Sequence, residues 1–93
     1  MVIIRRKNFK ISLNLKLSDP SNIEKYVKIT KLNIDNKLIV SRLENIGIYK
    51  NEIIYVKSNH FNKNITLIEI NQTTYGIRKE DADFIIVKKV KVC

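Results

Sequence analysis

Few residues in this chain are able to do covalent or metal chemistry. His60 is the single histidine, and Cys93, at the last position, is the single cysteine. A hydrolytic centre needs a nucleophile, a base and an orienting acid. His60 is surrounded in sequence by Asn59, Phe61 and Asn62, in a polar stretch that reads as a loop, so the residues point away from an enzyme. Gly47 and Gly76 are the two glycines, and neither lies in a glycine-rich run that could cradle a phosphate. Fe(II) favours His and carboxylate ligands, but His60 has no second ligand close by. Glu80, Asp81 and Asp83 read more simply as charge at the start of a short helical turn, where the helix dipole favours acids. No catalytic residue, metal site or cofactor is expected. One cysteine excludes an internal disulfide, in keeping with a reducing compartment.

What remains is binding chemistry, and it is dominated by positive charge. Lys and Arg number 18 against 9 Asp and Glu, a net charge of +9 over 93 residues. Arg5, Arg6, Lys7 and Lys10 lie near the start, and Lys88, Lys89 and Lys91 near the end, with no acid among them. Such a balance suits nucleic acid, an anionic membrane surface or an acidic protein, or simply keeps the chain in solution. Nucleic-acid binding by a small basic domain would need exposed aromatics beside the lysines. Most of Phe9, Tyr26, Tyr49, Tyr55, Phe61, Tyr75 and Phe84 sit at positions expected to be core, which disfavours that reading. No apolar run reaches the roughly 18 residues of a membrane-spanning helix, and the start is too short in apolar residues for a signal peptide. A cytoplasmic location is expected.

The elements that must position these residues are mostly strands. From Phe9 to Leu17 apolar and polar residues alternate, the period of a strand with one buried face. Ser18 to Asn22 is a turn cluster, with Pro20 stopping the strand. Tyr26 to Ile34 is a second strand. Val27 and Ile29 lie on one face and Leu32 and Ile34 on the other, so a bulge between the pairs is needed to return all four to the core. Asp35 to Asn51 then carries the helix pattern. Ile39, Leu43 and Ile46 share a face widened by Val40, Asp35 or Asn36 can cap the start, and Gly47 can end it at positive φ. Arg42 and Glu44 point to solvent. About three turns are too few to stand alone, so the helix needs the strands around it. Strands follow at Glu52–Lys57, Ile65–Ile70, Thr74–Arg78 and Phe84–Val90, with a helical turn over Lys79–Asp83. The run Phe84-Ile85-Ile86-Val87 suggests a central strand with both faces covered. The fold class is mainly β: a small closed β-barrel of five to six strands with one short inserted α-helix. One domain is expected, residues 15–93, preceded by a basic arm or edge strand over 1–14.

Three segments give this order of elements a resemblance to a known family. Leu17-Ser18, Arg42-Leu43-Glu44-Asn45-Ile46-Gly47-Ile48, and Gly76-Ile77-Arg78-Lys79-Glu80-Asp81-Ala82 followed by Ile85-Ile86-Val87 together resemble the ferrous iron transport protein A family, FeoA. The resemblance covers roughly Leu15 to Val90. The chain departs from the family where Pro-Gly turns are usual: it has Ser21-Asn22-Ile23-Glu24, Tyr49-Lys50-Asn51 and His60-Phe61-Asn62-Lys63-Asn64 there. Asn can adopt positive φ and partly replace glycine in such turns. The resemblance implies an SH3-like barrel and a non-enzymatic accessory that binds the cytoplasmic G-protein part of a FeoB-type ferrous iron transporter. Leu43, Ile46, Ile48 and Tyr49, at the helix end, are the expected partner contacts, though Leu43 and Ile46 would also suit the barrel interior. Arg5, Arg6, Lys7 and Lys10 would add attraction to an anionic membrane face. Alternatives are a basic barrel that binds nucleic acid, a repressor-type SH3-like interaction domain, and self-association through the Phe9–Leu17 edge.

Overall fold

The computed structural model describes residues 14–60, 62 and 64–90. The expected basic surface of Arg5, Arg6, Lys7 and Lys10, most of the Phe9–Leu17 strand, Phe61 and Cys93 lie outside the described residues. Six strands follow in chain order: β1 (Leu15–Lys16), β2 (Lys25–Leu32), β3 (Ile53–His60), β4 (Ile65–Ile70), β5 (Thr73–Arg78) and β6 (Ile85–Lys89). Helix α1 (Lys37–Ile46) joins β2 to β3, and the four-residue α2 (Lys79–Ala82) joins β5 to β6. All six strands form one antiparallel sheet in the order β1-β6-β2-β3-β4-β5. Leu17, next to one end of the sheet, and Ile77, on the strand at the other end, belong to a single core with Val27, Ile29, Ile54, Val56, Ile68, Ile85 and Val87. The sheet is therefore curled into a barrel. Its end strands β1 and β5 are not paired with each other among the described residues.

Helix α1 forms for the local reasons its sequence supplies. Asn36 is the cap: its Oδ1 accepts from the backbone N–H of Leu38 at 2.9 Å and of Ile39 at 3.3 Å, satisfying two of the orphan donors at the helix start. At the other end Gly47 takes φ 109°. The N–H of Gly47 bonds Glu44 O (3.1 Å) and that of Ile48 bonds Leu43 O (2.8 Å), the paired bonds of a Schellman stop. Leu43 is buried, and Ile39 and Ile46 are half-buried against the core.

The bulge in β2 lies where the apolar pattern requires it. Ile29 pairs with Val87 and Lys31 with Ile86, leaving Thr30 as the extra residue. Thr30 Oγ1 then donates to Ile86 O at 3.1 Å. The frame shift returns Leu32, and Ile34 beyond it, to the core side, where both are half-buried.

The loops that lack the usual glycines use other residues at positive φ. Glu24 (62°), Asn51 (75°) and Asn62 (55°) occur one in each of the three departing segments. The β4–β5 hairpin turns on Asn71 and Gln72 alone, at φ 50° and 69°, the sense of twist that two-residue hairpins favour.

Three expectations are corrected. His60 is not in a loop: β3 runs through Ser58, Asn59 and His60, which pair with Leu67, Thr66 and Ile65. Polar side chains do not end a strand when a partner strand is present to take its backbone hydrogen bonds. Most of the described aromatics are not core: Tyr26, Tyr49 and Phe84 are exposed and Tyr55 is half-buried, while the half-buried Tyr75 packs against the core. Leu, Ile and Val side chains already fill the narrow interior, and register turns Tyr26 and Tyr55 outward as a cross-strand pair. Strand β6 does have a neighbour on each edge, but only Ile85 and Val87 are buried, while Ile86 on the outer face stays half-exposed.

A groove between helix α1 and the β5–α2 corner

Helix α1 does not lie flat on the sheet along its whole face. Between it and the end of β5 runs an open groove of about 450 Å³. Ile39, Leu43 and Ile46 come from the helix, and Ile77 from β5. Arg42 and Arg78 stand at its rim. The hollow continues past Ile39 towards Phe84, which is 52% exposed.

The rim is organised by one short-range ion pair. Arg78 donates from Nε (3.3 Å) and Nη2 (3.2 Å) to Asp81 Oδ2. Asp81 stands in the first turn of α2, where an acid is favoured. Next to it, Lys79 Nζ lies 2.7 Å from Asp83 Oδ2, and Ser18 Oγ donates to Asp83 Oδ1. These two hydrogen bonds, Lys79 first, hold the Asp83 carboxyl below its ordinary pKa. Gly76 pairs with Leu67 on β4, where a Cβ would meet Ile65 Cγ2 at 3.1 Å.

The expected contact residues divide. Leu43 and Ile46 line the groove, although Leu43 is only 6% exposed. Ile48 is fully buried, because the Schellman turn folds it back under the helix, and it cannot touch a partner. Tyr49 is exposed but does not belong to the groove; the Glu52 carboxylate, through a side-chain hydrogen bond and its charge, raises the Tyr49 phenol above its ordinary pKa. Arg78, Asp81 and Phe84 had no place among the expected contacts. For Arg78 and Asp81 the signal was in plain view: the segments Arg42–Ile48 and Gly76–Ala82 that carry the family resemblance form the two walls of one groove.

His60 Nε2 lies 3.0 Å from Ser58 Oγ. Among the described residues no three His, Cys, Asp or Glu side chains gather as a metal site, and no helix is long and apolar enough to cross a membrane.

The FeoA domain model matches residues 15–89. The chain belongs to the FeoA family. The FeoA domain takes in all six strands and both helices, hence both walls of the groove. Several solved structures share its fold, three of them as follows. The solution structure of a FeoA-like protein from Clostridium acetobutylicum superposes with a TM-score of 0.70 at 18% identity, covering 86% of this chain and 91% of that one. Iron(II) transport protein A from Clostridium thermocellum gives 0.71 at 24% identity, over 82% of this chain and 46% of that one. ScaR with bound Zn2+ gives 0.69 at 17% identity, over 82% of this chain but 37% of that one. At such identities the likeness establishes the SH3-like barrel and nothing finer. Among curated proteins none matches the sequence.

Proposed function

We propose that this FeoA-family domain is a non-enzymatic accessory of ferrous iron transport that binds the cytoplasmic part of a FeoB-type membrane transporter. One observation carries the reading: the two segments that carry the family resemblance, Arg42–Ile48 and Gly76–Ala82, wall a single groove with an apolar floor and with Arg42, Arg78 and Asp81 at its rim. Such a groove fits a partner segment that offers an apolar anchor beside an acidic residue. Ile39, Leu43, Ile46 and Ile77 receive the anchor. Arg42 and Arg78 face the acid, with Asp81 holding the Arg78 guanidinium in place. A groove of this kind takes a peptide or helix by apolar burial, while complementary charge adds specificity and speeds encounter.

The test is retention of the full-length chain by the cytoplasmic part of the transporter from the same source. Retention at micromolar concentration is expected. No retention there counts against the reading.

A further inference from the structure

The outer face of β1, β6 and β2 carries a charge arrangement that the groove does not explain. Strands β1, β6 and β2 are adjacent, and none of their residues is acidic. Register places Lys28 directly across from Lys88, and sets Lys16 and Lys31 on either side of Ile86. Partnered residues share a face, so these four lysines crowd one outer surface. Among the described residues Lys28 and Lys88 form no ion pair. Like charges directly opposite on neighbouring strands cost stability. A bound polyanion would relieve that cost.

The same face presents apolar and amphipathic side chains. Tyr26 is 45% and Ile53 48% exposed. Ile53 pairs with Lys28 and Tyr55 with Tyr26, and the two tyrosine rings lie 5.0 Å apart at 57°. We infer that this face docks on an anionic lipid bilayer, with Lys16, Lys28, Lys31 and Lys88 against the headgroups and Tyr26 and Ile53 at the boundary of the acyl chains.

Three observations favour a bilayer over a nucleic acid strand. The exposed aliphatic Ile53, the cross-strand partner of Lys28, gains from an acyl boundary and little from phosphates and bases. The Tyr26 and Tyr55 rings pack against each other too closely for a base to enter between them, whereas tyrosine with flanking lysine suits the headgroup level. The outside of a barrel is also convex, a shape for a surface rather than for a strand held in a groove. The inference uses none of the groove residues and stands apart from the transporter binding proposed for them.

The experiment is co-sedimentation of the full chain with vesicles of phosphatidylglycerol and phosphatidylcholine, against vesicles of phosphatidylcholine alone. No transporter is present, so failure here leaves the groove reading untouched. Binding to the anionic vesicles, weakening with salt, is expected. Each lysine near an anionic surface is worth roughly fivefold, so Lys28→Ser with Lys88→Ser should lower partitioning about 25-fold. Lys37→Ser with Lys50→Ser, which removes the same charge from exposed lysines outside this face, should retain most of the binding. Tyr26→Ser should lose the part that survives high salt. Melting curves check that each variant folds. The inference is overturned if the chain ignores anionic vesicles, or if both double variants bind alike, which would place the attraction on net charge or on the Arg5–Lys10 arm. Capture of a single-stranded oligonucleotide that depends on Lys28 and Lys88, without vesicle binding, would equally overturn it and assign the face to nucleic acid.

Discussion

Gly47 and Ile70 are in contact so close that a Cβ on the glycine would lie 3.0 Å from Ile70 Cγ2. The same glycine holds φ 109°. Position 47 therefore excludes a side chain twice, once by backbone conformation and once by the strand packed against it. It fixes where α1 stops and drives Ile48 into the core. Gly47→Val should destabilise the domain by more than about 2 kcal/mol, since left-handed backbone alone costs an L-residue about 1–2 kcal/mol and overpacking adds about 1–3. In a domain of this size that lowers the melting temperature by roughly 10 °C or more. An unchanged thermal transition by circular dichroism would show that the helix does not end this way.

Glu24 offers the opposite change. It holds φ 62° with an exposed side chain in a segment where the family usually has glycine. Glu24→Gly removes the left-handed cost and adds only the greater freedom of glycine in the unfolded chain. A gain of about 0.5–1 kcal/mol is expected, seen as a higher urea midpoint with an unchanged slope. Asn51→Gly should gain less, because Asn tolerates this region.

Arg78 stands at the rim with its side chain 56% exposed. Its ion pair to Asp81 is a surface pair and contributes at most about 1 kcal/mol to folding. Arg78→Gln, which removes the charge without setting an acid against Asp81, should therefore lower the melting temperature by no more than roughly 5 °C while reducing retention on the transporter's cytoplasmic part about tenfold. Equal retention of wild type and variant would remove Arg78 from the interface. Lys50→Gln, outside the groove, serves as the matched control.

Asp83 ties α2 to the turn after β1 through Lys79 and Ser18. Its carboxyl is held below the ordinary value of 3.8. A group whose folded pKa is depressed contributes stability that is complete above its unfolded pKa and disappears as pH falls through the folded one. The domain should lose stability below about pH 4, and Asp83→Asn should flatten that acid limb. Stability curves against pH for the two proteins would show the difference; superimposable acid limbs would mean Asp83 contributes nothing through its charge.

The chain's own sequence determined the elements whose causes are local. Asn36 caps, Gly47 stops, Asn71-Gln72 turns, and the offset between Val27/Ile29 and Leu32/Ile34 demands a bulge. Each depends on a side chain acting on backbone within a few residues, so each is legible without a partner. Tertiary structure decided what depends on pairing. Strand β3 extends to His60 because β4 is there to receive its hydrogen bonds. Tyr26 and Tyr55 face outward because register, not hydrophobicity, assigns a side chain to one side of a sheet. Ile48 is buried and Ile46 is not, because the Schellman turn reverses the chain between them. The groove joins Arg42 to Arg78, and the lysine face joins Lys28 to Lys88. Residues so distant in sequence become neighbours only when the sheet closes, and no local preference in either segment specifies the other.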